Sequence, residues 1–169
     1  MNDAVRAEIA AIAADSRSGA TAILSRAVGV LRAVAADRAA LEEVARELCR
    51  AQPSMAGLHV AAALALRGPA FAALDGFEAR TARAPRLIAR FAADLLKLRS
   101  GAGALRVVTV SRSHAVEQVL LALARDVSIE VCCAESRPAL EGRDLAAALA
   151  ESGLRVALFT DAAIGTALD

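Results

Sequence analysis

The sequence predicts an α/β protein: an N-terminal helical bundle over residues 1–99, followed over residues 105–169 by an incomplete, three-stranded Rossmann-like parallel sheet. Three observations predict it. Apolar residues recur at helical spacing through the first part, short β-branched runs alternate with helical patterns after residue 104, and Arg99-Ser100-Gly101-Ala102-Gly103-Ala104 separates the two regimes. Strand–helix–strand–helix–strand at this spacing means βαβ units, hence parallel strands and the beginning of a doubly wound sheet.

Each element has its own signal. Asp3 is a cap for a helix over 4–14, and a second helix is expected over about 19–36, with Ala22, Leu24, Ala27, Leu31 and Val34 near helical spacing. Asp37 caps a third over 38–50, where Leu41, Val44, Ala45 and Leu48 repeat as i, i+3, i+4, i+7. Pro53 ends it and leads into a fourth over 55–66. After Gly68-Pro69 a long stretch over 70–98 reads as helix, with Asp75-Gly76 and Pro85 as places to kink. The strand runs are 106–110, 128–133 and 155–160, separated by helices over 114–125 and 139–152, with Gly153 as the C′ residue of the second.

Composition narrows the function classes. Twenty basic against 19 acidic residues give a net charge of +1, and there is no Trp or Tyr and only four Phe. A nucleic-acid binder would carry a concentrated basic field and aromatic platforms, so neither nucleic acid nor a membrane is an expected partner. The hydrophobic fraction of 57% comes largely from Ala. The run 51–66 is broken by Pro53, Gly57 and His59 and is shorter than the roughly 18 apolar residues of a span. Cys49, Cys132 and Cys133 lack CxxC spacing, so no disulfide framework, zinc site or other cofactor is expected, and the location expected is the reducing cytoplasm. Cys132 and Cys133 are neighbours in a strand and point to opposite faces. His59, on an apolar stripe, reads as core or interface.

Parallel strands bring their carboxyl ends to one sheet edge, where open α/β sheets bind ligands. That edge receives Ser111-Arg112-Ser113-His114, Glu135-Ser136-Arg137-Pro138 and Thr160-Asp161. Ser hydroxyls, backbone N–H groups and the Arg112 and Arg137 guanidinium groups there can converge on one anion, with phosphate the natural candidate. Asp161 can accept from sugar hydroxyls or move a proton. Plainer roles exist for each. Ser113 and Ser136 also read as helix caps, Arg112 and Arg137 as partners of Glu135 or Glu141, Asp161 as a turn residue, and His114 as a surface side chain.

The stretch Glu135-Ser136-Arg137-Pro138-Ala139-Leu140-Glu141-Gly142-Arg143, followed by Ser152-Gly153-Leu154 and Thr160-Asp161-Ala162-Ala163-Ile164-Gly165, resembles the translation initiation factor 2B alpha/beta/delta family. That family also includes methylthioribose-1-phosphate and ribose-1,5-bisphosphate isomerases. Val107-Val108-Thr109-Val110-Ser111-Arg112-Ser113 is similar to its first Rossmann-like strand and turn. Asp15-Ser16-Arg17-Ser18-Gly19-Ala20 is similar to its Arg/Ser-Gly-Ala loop, and Gln52-Pro53-Ser54-Met55 to its Arg-Pro-Ser-Met turn. The resemblance implies a helical domain packed on a Rossmann-like domain, assembled as dimers or higher oligomers. It further implies that Ser18, Gly19, Ala20, Arg112, Ser113, Arg137 and Asp161 bind a phosphorylated sugar or nucleotide.

The family's isomerases pair a Cys with an Asp. Ser111 stands at the Cys position, and the family's downstream Gly-Ala-Asp and Asn-Lys segments are not in this sequence. A thiol exchanges protons near neutrality, whereas a serine hydroxyl needs a strong neighbouring base. The expected function is therefore a noncatalytic, ligand-binding, oligomerising relative, a fragment or shortened member that dimerises. The alternative is an aldose-1-phosphate isomerase whose remaining segment lies outside this sequence, and a third reading is a purely structural assembly module.

Overall fold

The computed structural model describes residues 2–16, 18–100 and 104–167. Five helices come first: α1 (Asp3–Ala14), α2 (Ala20–Ala33), α3 (Arg38–Ala51), α4 (Ala56–Arg67) and α5 (Ala70–Ser100). Then follow β1 (Leu105–Thr109), α6 (His114–Leu123), β2 (Ile129–Ala134), α7 (Glu141–Glu151), β3 (Arg155–Phe159) and a 3-10 helix over Asp161–Ala167. Packing divides the chain into residues 1–82 and 83–169, so α5 gives its first part to one unit and the rest to the other. The linker glycines Gly101 and Gly103 lie outside the described residues.

In the helical unit α1 packs on α2 and α3, α2 on α3 and α4, and α3 on α4. Ile12, Val28, Leu31, Leu41, Val44, Leu48, Leu58 and Leu74 are fully buried. Ala27, Ala45, Ala61 and Ala65 lie among them, small enough to let the helix backbones approach closely. Asp37 caps α3 as expected, accepting from the Ala39 and Ala40 N–H groups at 3.0 and 3.1 Å. At α1 the cap is Asn2, not Asp3: Asn2 Oδ1 accepts from Val5 N at 2.9 Å. Pro85 and Gly76 do not interrupt α5. Proline removes a single hydrogen bond, and the good helix formers around it sustain the turns on either side. His59 is exposed, with Nε2 at 3.1 Å from the Pro53 carbonyl, so it belongs to no core.

The second unit carries a parallel sheet in the order β1-β2-β3. Because the strand order advances in one direction, right-handed crossovers place both helices on one face. There Leu120 and Leu123 of α6 and Leu145 and Leu149 of α7 close over Ile129, Val131 and Cys133 of β2. The three described strands contain no reversal of order, and so no switch point. Cys132 and Cys133 are both buried, on opposite faces as the strand period requires. The 3-10 helix packs on β2 and β3. Gly153, at φ +84°, ends α7 as a left-handed C′ residue.

Candidate functional site

The carboxyl ends of the three strands are tied to one another by polar contacts. Past β1, Ser111 adopts the left-handed region (φ 60°) and its N–H donates to Ser136 Oγ at 2.6 Å. Ser136, past β2, is also left-handed (φ 61°), and its hydroxyl donates back to the Ala134 carbonyl at 3.2 Å. Past β3, both carboxylate oxygens of Asp161 accept backbone N–H groups, Ser136 at 2.7 Å and Arg137 at 2.8 Å. Non-glycine residues hold positive φ at some cost, and such positions gather at functional edges. Here the side-chain and backbone bonds that fix the turn offset that cost.

Beneath the turn sits a buried acid. Glu135 is 4% exposed, and its oxygens receive Arg137 Nε at 2.8 Å and an Arg143 terminal nitrogen at 3.1 Å. The bond from Arg137, with help from Arg143, holds the Glu135 carboxyl below the ordinary carboxylate range against the opposing effect of burial. Asp161 is likewise held low, chiefly by the Arg137 N–H and then by that of Ser136. Arg137 in turn is pushed up by its bond to Glu135. Gly142, in the first turn of α7, is pressed against β2: a Cβ there would lie 1.7 Å from the Ala134 carbonyl oxygen. Only glycine fits without moving the backbone.

These turns enclose a cleft of about 420 Å3 lined by Ser111, Ser136, Arg137, Glu141, Asp161 and Ile164, among others. Of the residues singled out in the sequence, Ser111, Arg137 and Asp161 meet there. Arg112 and Ser113 stand beside it at the start of α6 but do not line it. Arg112 reaches towards Glu117 at 3.7 Å, and Ser113 caps α6 through a long bond, accepting from Val116 N at 3.5 Å. His114 is an exposed first residue of α6. In the helical unit, Ser18, Gly19 and Ala20 are exposed. The Ser18 N–H donates to Asp15 Oδ1 at 2.8 Å, and Gly19 precedes α2 with open space around it. Arg17 lies outside the described residues.

The backbone N–H groups of Ser136 and Arg137 do converge on an anion, as the sequence suggested, but the anion is the Asp161 carboxylate. The Arg137 side chain is likewise turned to Glu135, the plainer of its two expected partners. Ser136 is no helix cap: α7 begins at Glu141 after a left-handed Leu140, and Ser136 instead joins two strand ends. Glu135 was expected as a surface partner of Arg137, not as a buried acid, and the structural roles of Arg143 and Gly142 were not foreseen. The available signal was an acid at a strand end with arginines two and eight positions on.

Fold and cleft define a class: a helical unit joined to a Rossmann-like parallel unit with its strand ends bound into one turn cluster. The profile of the Initiation factor 2 subunit family matches residues 16–169, and the chain belongs to that family. Among solved structures, the translation initiation factor eIF-2B of Pyrococcus horikoshii OT3 has a TM-score of 0.83 at 23% identity, covering 98% of this chain and 62% of that one. The eIF2B delta subunit of Chaetomium thermophilum has a TM-score of 0.68 at 21% identity, covering 94% and 68%. A chain of the tetrameric eIF2B-beta2-delta2 complex from C. thermophilum gives 0.66 at 18%, covering 92% and 59%. This chain thus spans about 62% of the length of the Pyrococcus relative. No curated protein sequence matches it. Among the described residues, no helix is long and apolar enough to cross a membrane.

Proposed function

We propose that this chain is a noncatalytic, oligomerising member of the initiation factor 2B group whose strand-end cleft takes a phosphorylated sugar or nucleotide. One observation carries the noncatalytic part: both Asp161 oxygens are engaged by backbone N–H groups, beside a serine at the position where the family's isomerases keep a thiol. A carboxylate held below its ordinary range and committed to two donors is a poor base.

Binding would use what the network leaves exposed. The Arg137 side chain is 68% exposed despite its bond to Glu135, so its guanidinium keeps donors for a phosphate. The Ser111 hydroxyl lies in the same cleft, and Arg112 and Ser113 stand alongside. Oligomerisation is supported by relatives that are subunits of larger complexes, a dimer being the simplest form.

Calorimetry with ribose 5-phosphate and adenosine monophosphate tests the ligand class. Heat that saturates at millimolar ligand and disappears in Arg112→Ala/Arg137→Ala is the expected result. No heat at those concentrations removes the binding claim, and conversion of an aldose 1-phosphate to its ketose overturns the noncatalytic one. Sedimentation of a monomer at all concentrations would remove the dimer.

A further inference from the structure

The second part of α5 carries a surface that neither the fold nor the cleft uses. Leu87, Phe91, Leu95 and Leu98 follow one another at spacings of a helical turn and are 49%, 63%, 55% and 85% exposed, with Ile88 beside them at 49%. The opposite side of the same helix is spent on the core, through Ala89 and Ala93. An apolar seam of this spacing on a helix is the shape a second helix fills.

Charge decides what kind of helix. Arg83, Arg86 and Arg90 lie along one flank of the seam, exposed, and among the described residues none of them makes an ion pair. From residue 79 to residue 93 the sequence holds no carboxylate at all. On that flank a groove of about 570 Å3 runs between α5 and α6, and Arg86, Arg90 and Arg125 line it. Asp94 and Asp126 also line it, both already engaged by Lys97.

A second copy of this chain fits poorly. In an antiparallel helix pair each flank faces its own counterpart, so with Leu87 set against Leu98 the Arg90 of one copy would meet Asp94 of the other, while Arg83 and Arg86 would meet residues 98–103, which hold no carboxylate. In a parallel pair they would face Ile88 and Ala92. Neither arrangement supplies a carboxylate to all three arginines. A lipid surface is a weaker match too, because the cationic side chains border the seam on one side and close over a groove, a concave shape that a flat bilayer cannot enter.

We propose that this face of α5 docks an acidic amphipathic helix of a partner protein. Its apolar edge would lie on Leu87, Phe91 and Leu95, and its carboxylates would reach Arg83, Arg86 and Arg90. The interaction does not involve the strand-end cleft, so it stands or falls apart from the ligand reading.

The test uses the 169-residue chain and two synthetic helical peptides with the same leucine seam, one flanked by Glu and one by Lys. Fluorescence anisotropy at low and high salt is the readout. The Glu peptide is expected to bind the wild type at least about tenfold more tightly than the Lys peptide. In Arg83→Glu/Arg86→Glu/Arg90→Glu the preference should invert, and in Phe91→Asp both should be lost. All these side chains are exposed, and circular dichroism checks that the variants fold. Equal affinity for the two peptides overturns the proposal. So does a wild-type dimer that Phe91→Asp dissociates, which would assign the face to a second copy. Tighter binding to phosphatidylserine vesicles than to the Glu peptide would assign it to membrane, with the same consequence.

Discussion

The helical unit and the α/β unit of this chain hold themselves together by different means. In the first, stability rests on leucine, valine and alanine packing, and the charged pairs sit outside it. Arg26 joins Glu8 and Asp15, and Arg32 joins Asp75 and Glu78, each on a partly exposed surface where such pairs contribute little. The second has an equivalent apolar core under α6 and α7. In addition its strand ends are held by a buried carboxylate, a carboxylate bound to backbone N–H groups, three left-handed non-glycine residues and a glycine pressed on the sheet. Packing tolerates gradual change. A network of fixed donors and acceptors does not, which is why local backbone cost collects at this sheet edge.

The sharpest way to break that contrast is at two glycines. Gly142→Val should unfold the α/β unit, a loss above about 3 kcal/mol, because the new side chain meets backbone that cannot give way. Gly29→Ala, on the exposed side of α2 with nothing within 4 Å, should instead stabilise by about 0.5–1 kcal/mol. Urea titration of both variants measures the difference, and equal effects would show that the two units tolerate change alike.

Below that in size, Leu48→Ala and Leu149→Ala should each cost about 2–5 kcal/mol, since both are fully buried. Hydrogen exchange should show the first loss mainly in residues 1–82 and the second mainly in 83–169. Uniform loss across the chain in both variants would mean that the two units unfold as one.

A smaller effect is confined to acid. The Asp161 carboxyl is held below its ordinary value, so its contribution is present above about pH 4 and is lost as pH falls through the lowered folded value. Asp161→Asn should lower Tm at neutral pH and flatten the fall of Tm in acid. An unchanged acid limb would show that the two N–H bonds do not stabilise the fold. A gain like that at Gly29 is expected at Ser111, whose φ of 60° favours glycine: Ser111→Gly should gain about 1 kcal/mol while leaving its N–H bond to Ser136 in place.

Much of this was readable in the residues. The helix over 38–51 announced itself through Asp37 and the repeat of Leu41, Val44, Ala45 and Leu48. The parallel sheet followed from three β-branched runs at βαβ spacing. Ser111, Arg137 and Asp161 were placed on one edge because parallel strands share a direction. Their bonding was not readable. Asp161 presents the same letter whether it accepts from a sugar or from two backbone N–H groups, and Arg137 the same letter whether it faces a phosphate or Glu135.

Local pattern and chain direction, then, determined the elements, their order and the edge on which the polar turns gather, because periodicity and turn chemistry act over a few residues. Tertiary structure alone decided that the amide pair of Ser136 and Arg137 is filled by Asp161, that Gly142 must lie against Ala134, and that Leu87, Phe91, Leu95 and Leu98 are exposed. Each of those depends on which distant groups meet across space. A short-range signal has no means of recording it.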